Sequence, residues 1–361
     1  MYDRIKDSIE GSLIVNLAAL TIILAGVIYA KAIIAPVLLA LFISIICAQP
    51  ISWLEKKKIP RGIALIIVLL GMIVLFSGFA FVIGGTISSF SGNLSKYEAS
   101  LTTMNDDFIG SLNEQGFKIQ SDQLSNLIQP AKILEYTASV LNKLVNMVGN
   151  TFLIFLIVVF ILLEFGSFSI KAKAVRSESN KTIPYFSTIS QNIRHYLAIK
   201  TVLCISVGVL IYIALLIIGV DYPLLWALIA GLMNYIPNIG SIIATIPTVL
   251  FALIQLGTGG ALWTLVASMV VHNILGNFLE PRIMGKGLGL STLVVFLSLL
   301  FWGFVFGLVG MFLSVPFTMT IKIILEQNEK TKWIAILLGT PADAKAHLEH
   351  RETKEGSRTE E

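Results

Sequence analysis

Long uncharged apolar runs, divided by short polar and basic clusters, make up most of this chain. The first runs from about Leu13 to Ala35 behind Arg4 and Lys6, and Pro36 opens a second that reaches about Trp53. A helix needs about 20 apolar residues to cross a bilayer core, so the first run predicts a retained membrane helix rather than a cleaved leader. Residues 62–95 carry no charge and predict a third spanning helix, with Gly71, Gly78, Gly84 and Gly85 suited to close helix packing. A fourth is predicted from about Leu144 to Leu163, ending at Glu164, and a fifth from Thr201 to Val220, ending at Asp221.

Between the third and fourth runs lies the one long polar insertion, residues 88–146. Its apolar positions, among them Leu124, Leu127, Ile128, Leu141 and Leu144, recur at three- and four-residue spacing and predict amphipathic helices. These helices have three open roles: lying on the membrane surface, capping a path, or mediating assembly.

The stretch from Asp221 to Lys286 combines membrane-level apolarity with residues that stop a straight helix. No Asp, Glu, Lys or Arg falls between Asp221 and Glu280, yet the run contains Asn234-Tyr235-Ile236-Pro237-Asn238-Ile239-Gly240-Ser241. Just beyond it comes Gly276-Asn277-Phe278-Leu279-Glu280-Pro281-Arg282-Ile283-Met284-Gly285. In lipid every backbone amide needs a partner, so such breaks are tolerated only inside protein or along a watery cavity, as in the discontinuous helices of transporters. Breaks at Pro237 and Pro247 predict a hairpin over residues 222–256 that enters and leaves on one side, followed by a crossing at about 260–277. The charge-free run 287–321 is about 50 Å long as a helix, enough for two short helices in a second hairpin.

The two hairpins share a faint similarity. Trp226 precedes Gly231-Leu232 by five residues, as Trp302 precedes Gly307-Leu308, which fits either chance or the trace of an inverted repeat. The expected fold is an all-α integral membrane protein with about eight transmembrane helices, broken or re-entrant hairpins and a small extracytoplasmic helical insertion. Its expected parts are residues 1–87 with three spanning helices, the insertion 88–146, a transport core 147–326 and a polar cytoplasmic tail 327–361.

Composition agrees: 55% of residues are apolar and 13% charged, against about 25% charged in soluble domains. The net charge of +4 is carried in short loops, which argues for orientation signals and against nucleic-acid binding. Glu55-Lys56-Lys57-Lys58 with Arg61, and the segment holding Lys171, Lys173, Arg176, Lys181, Arg194 and Lys200, are basic loops expected in the cytoplasm, as are both termini. The insertion has four Lys, no Arg and six acidic residues, and is expected outside. Cys47 and Cys204 read as two isolated buried thiols. No phosphate-binding Gly-x-x-x-x-Gly-Lys-Ser/Thr loop and no His-Glu-x-x-His motif occurs, and the four histidines do not cluster. Neither catalysis, nor a metal, nor a cofactor is expected.

The segments Asn234 to Ser241, Leu279-Glu280-Pro281-Arg282-Ile283-Met284-Gly285-Lys286-Gly287-Leu288-Gly289-Leu290-Ser291, Gly310-Met311 and Ser314-Val315-Pro316 appear in the order found in one family. The chain up to about Gln327 resembles the autoinducer-2 exporter family of bacterial membrane transporters. The resemblance implies a transporter of the inner membrane exporting the signal autoinducer-2 or a similar small polar solute, and makes a homo-oligomer plausible. Asn234, Pro237, Asn238, Gly240, Glu280, Pro281, Arg282 and Gly285 match the family pattern and are expected in the path. Asn273 and Asn277, four apart, share a helix face and join Asn234 and Asn238 as amides suited to a hydroxyl-rich solute. Glu280 and Arg282 are a candidate gate pair. The alternative of sodium (lithium)/proton antiport would draw on Glu164, Asp221 and Glu280, the carboxylates nearest the membrane. Glu164, at a helix end, also fits a solvated position. A third possibility is a non-transporting membrane scaffold built on the external helices.

Overall fold

In the computed structural model, the described residues are 21–93, 152–164, 184–284 and 289–341, with scattered positions at 15–19, 95–110 and 344–345. The expected insertion 88–146 and the tail after 345 lie largely or wholly outside them. Every regular element among the described residues is helical. Residues 21–29 are helical, and a turn at Ala30 leads into α1 (Lys31–Lys56). The break therefore falls at Ala30, not Pro36, which sits near the start of α1. There a proline removes one ladder hydrogen bond without ending the helix. Then follow α2 (Arg61–Gly92), α3 (Phe152–Glu164), α4 (Pro184–Ile218), α5 (Pro223–Met233) and α6 (Ile239–His272). A π-helical segment (Asn273–Leu279) leads into α7 (Glu280–Met284), and α8 (Thr292–Phe306), α9 (Leu308–Glu326) and α10 (Lys332–Leu338) complete the described chain.

Five described helices are long and apolar enough to cross a membrane: Lys31–Lys56, Arg61–Phe90, Gln191–Ile218, Ile239–Ile283 and Leu308–Glu326. Phe152–Glu164, Pro223–Met233 and Thr292–Phe306 are apolar but shorter. Their exposed side chains are themselves apolar, as at Val74, Leu75, Phe81, Ile217 and Phe304. In water such continuous apolar surface marks an interaction site; here its extent fits contact with lipid.

The chain forms two compact units. One comprises residues 1–48, 153–194 and 288–361, the other 49–152 and 195–287. In the first, α8 and α9 form a helical hairpin whose turn is the single residue Gly307, at φ 65° and ψ −141°. Gly310 fits because it has no Cβ; one would run into the Trp302 carbonyl. Ser291 caps α8, its hydroxyl accepting from the Val294 amide, while its own amide donates to the Leu338 carbonyl. Lys322 donates to the Gly289 carbonyl at 2.6 Å, tying α9 to the residues before α8.

In the second unit α4 and α5 run antiparallel, joined by residues 219–222. They meet through glycine: a Cβ on Gly231 would lie 2.9 Å from the Cys204 carbonyl, and one on Gly208 3.3 Å from that of Ala227. The chain turns at residues 234–238 and returns as α6, and at the far end the Asp221 amide donates to the Gln255 side chain at 2.6 Å. The α5–α6 hairpin thus closes on its own starting point. Phe251 is its core, fully buried and ringed by Phe90, Tyr97, Tyr222 and Trp226 at centroid distances of 5.4–6.2 Å.

Two expectations are corrected here. Pro247 lies inside α6 and breaks nothing; the helix is kinked instead at Gly257, with φ 75° and ψ −166°. The Trp-Gly-Leu similarity pairs residues with different roles, since Gly231 packs inside α5 whereas Gly307 is itself a turn. The geometry matches Gly257 with Gly307, and Gly260 with Gly310. Each is a Gly-x-x-Gly whose first glycine has positive φ and whose second leaves room for the Cβ of the residue four before it.

Candidate functional site

Helix α4 presents Tyr196, Lys200, Cys204 and Gly208 at four-residue spacing, one face of an α-helix, and all four are drawn into contacts of the second unit. Lys200 is 2% exposed, and its ammonium donates to both oxygens of Glu280 at 2.7 and 2.9 Å. The pair closes 80 residues of chain and sits where two charge-free runs end, the one beginning at Thr201 and the one ending at Leu279. Beside it the α5–α6 turn docks on the same helix. Tyr235 donates its hydroxyl to Thr201 Oγ1 at 2.7 Å, and Asn234 Nδ2 approaches Cys204 Sγ at 3.6 Å. Tyr196 lies within electrostatic reach of Glu280, Cys204 and Tyr235.

The turn follows from its sequence. Asn234 ends α5, and Pro237 cannot extend that helix because it has no N–H to give. Its carbonyl accepts from the Ile239 amide at 2.6 Å across Asn238, which adopts φ 59° and ψ −47°. That is a γ-turn, rare and strained for a residue with a side chain. Asn238 is exposed, and Gly240 is buried with its missing Cβ facing the Met233 carbonyl.

The remaining expected residues divide by place. Asn277 donates to Asn273 at 2.7 Å and Asn273 donates to the Met269 carbonyl, so the two share one exposed face. Pro281 and Arg282 are exposed on α7, and Glu280 pairs with Lys200, not Arg282. Asp221 lies at the opposite end of the hairpin, where it accepts from the Tyr97 hydroxyl at 3.2 Å. Burial, with Tyr222 and Asp221 adding to it, pushes the Tyr97 phenol up, which keeps it a donor. Glu164 is exposed at the end of α3, in the other unit. Gly285 falls outside the described residues. Both cysteines are buried and neither is in a disulfide, and no group of three or more His, Cys, Asp or Glu placed for a metal occurs among the described residues.

Lys200 was the residue that sequence pattern assigned elsewhere, to the basic loop before Thr201; it belongs to α4. The available signal was the four-residue spacing Tyr196, Lys200, Cys204, Gly208, which aligns a lysine with a glycine packing face. The π-helical segment directly before Glu280 had no such signal. π-Helical turns gather at functional positions because they expose backbone groups that an α-helix would pair.

Several membrane-length helices, a closed helical hairpin and a buried ion pair at its turn define a multi-pass helical membrane protein. The sequence model of the AI-2E family transporters matches residues 17–330, and the chain belongs to that family. Among curated relatives, the AI-2 transport protein TqsA of Escherichia coli is 36% identical over 90% of this chain and 95% of its own. A chain of Haemophilus influenzae provisionally named a transport protein is 36% identical over 92% of this chain and 97% of its own. The similarly named YhhT of Escherichia coli is 33% identical over 93% and 96%.

Proposed function

We propose that this transporter exports autoinducer-2, or a small polar solute like it, across the bacterial inner membrane. The path runs past the α5–α6 turn. The observation that carries the proposal is the clustering of Asn234, Tyr235, Thr201, Cys204 and the Lys200–Glu280 pair where two charge-free runs of the chain end. Amide, hydroxyl, ammonium and carboxylate groups together both donate to and accept from a hydroxylated solute. The cargo is supported by the likeness to the AI-2 transport protein TqsA, since the names of the Haemophilus influenzae relative and of YhhT specify none. In this arrangement about eight segments cross, the α5–α6 hairpin re-enters on one side, both termini are cytoplasmic, and the chain works as a homo-oligomer. Asn238, Asn273, Asn277, Pro281, Arg282 and Gly285 extend the path beyond the cluster.

The test is autoinducer-2 efflux from liposomes holding the purified protein. Asn234→Ala should lower the initial rate roughly two- to tenfold, the range for one lost hydrogen bond of about 0.5–1.5 kcal/mol. Efflux no faster than from empty liposomes would remove this cargo, and efflux untouched by Asn234→Ala would remove this path.

A further inference from the structure

We propose that Lys200 is a built-in counter-cation that sets the selectivity of the site. By filling the cation position at Glu280, it lets the path accept neutral hydroxylated solutes and refuse free monovalent cations. The inference applies to the path proposed above and names what that path excludes.

A carboxylate is the hard oxygen ligand that holds a hard cation such as sodium, and Glu280 lies at the end of a charge-free run, within electrostatic reach of Tyr196 and Cys204. Here both carboxylate oxygens already face an ammonium at 2.7 and 2.9 Å. Among the described residues, those two oxygens are also the hydrogen-bond partners of the Lys200 ammonium. Each charge removed from water costs several kcal/mol, a cost that the two opposite charges at this 2%-exposed lysine offset together, and the pair is neutral as a unit. A tethered cation also competes at a high effective concentration set by its tether, against which free sodium must bind from solution. Among the described residues, the titratable groups around the pair are Tyr196 and Cys204 on α4 and Tyr235 in the turn, with the exposed Arg282 two residues along α7, and none of these four is a carboxylate.

Removing the ammonium while keeping the carboxylate should therefore create a cation site. The measurement is thermal unfolding of the purified full-length protein in detergent at about pH 8.5, well above the ordinary carboxylate range. Roughly 200 mM sodium chloride is compared with the same concentration of choline chloride, which cancels ionic screening. Lys200→Met should gain about 3 °C or more in melting temperature from sodium. Wild type, Lys200→Arg and the double variant Lys200→Met/Glu280→Gln should each move by less than about 1 °C. Should Lys200→Met yield no folded protein in choline, recovery of folded protein by solubilisation in sodium supports the proposal, and failure to recover overturns it. A sodium-insensitive Lys200→Met, or a sodium-responsive wild type, overturns it as well. Autoinducer-2 efflux from liposomes, run alongside, separates the two claims: loss of the cargo assignment leaves the sodium result standing, and the reverse holds equally.

Discussion

The two helical hairpins, α5–α6 and α8–α9, are built on one device and finished differently. Both rely on a glycine just past the turn, Gly240 or Gly310, because a Cβ there would meet the carbonyl of Met233 or Trp302. Both also carry a threonine eight residues past that glycine whose hydroxyl donates one turn back, Thr248 to Ala244 and Thr318 to Ser314. The turns themselves contrast. α8 and α9 are joined by one glycine, whereas α5 and α6 are joined by five residues that hold an amide and a phenol against α4. The tryptophans differ likewise: Trp302 is half-buried and donates to Thr318 at 3.4 Å, while Trp226 is 1% exposed and its indole N–H has no partner among the described residues. A hairpin needs only a glycine to turn. The longer, more polar turn of α5–α6 is therefore more than a reversal of the chain requires.

The largest expected effect is in the cores of the two hairpins. Phe251→Ala removes a fully buried ring touched by four others and should destabilise the protein by about 3–5 kcal/mol. Phe317, half-buried against Trp302 at 4.8 Å and Phe306, should lose about half of that. Thermal unfolding in one detergent reads both. Equal losses would mean that the two aromatic clusters bear equally on the fold and that the contrast in burial has no energetic content.

Next comes the shared device. Gly240→Ala and Gly310→Ala should each destabilise by about 1–3 kcal/mol, since each new methyl meets backbone that cannot swing aside. Gly276→Ala, with open space around it, should change stability by less than about 1 kcal/mol. If either turn glycine tolerates alanine as Gly276 does, the two hairpins do not share a construction.

Much of this was legible in the sequence because a helix break is local chemistry. The Asn234-to-Ser241 cluster marked the turn at residues 234–238, and the length of the charge-free run 287–321 marked a second hairpin without placing its turn. Pro247 misled because a proline forfeits one hydrogen bond, which a long packed helix absorbs, whereas the kink in α6 uses the positive φ that Gly257 supplies. The Gly-x-x-Gly spacing at 257–260 and 307–310 carried that information. The Lys200–Glu280 pair was out of reach: its members are 80 residues apart, and Lys200 follows a basic segment that explains it equally well as an orientation signal. Nor does composition distinguish a π-helical turn from an α-helical one at Asn273–Leu279, where the difference is a single residue of register.

The smallest expected effect bears most directly on what the polar turn is for. Asn238 holds φ 59° and ψ −47°, a conformation that glycine adopts with less strain, and the single-residue turn of the other hairpin is indeed glycine. If asparagine were present for the backbone alone, glycine would serve better. Asn238→Gly should therefore raise stability by about 0.5–1 kcal/mol in the same unfolding assay. It should also slow autoinducer-2 efflux roughly two- to tenfold, because an exposed amide at the turn is lost. The reciprocal change, Gly307→Asn, should destabilise by about 1 kcal/mol and leave efflux where it was. A stabilised Asn238→Gly with unchanged efflux would assign the asparagine to the turn and take it out of the path. A destabilised one would show that its side chain holds the turn in place, and the strain at this position would then have a structural cause.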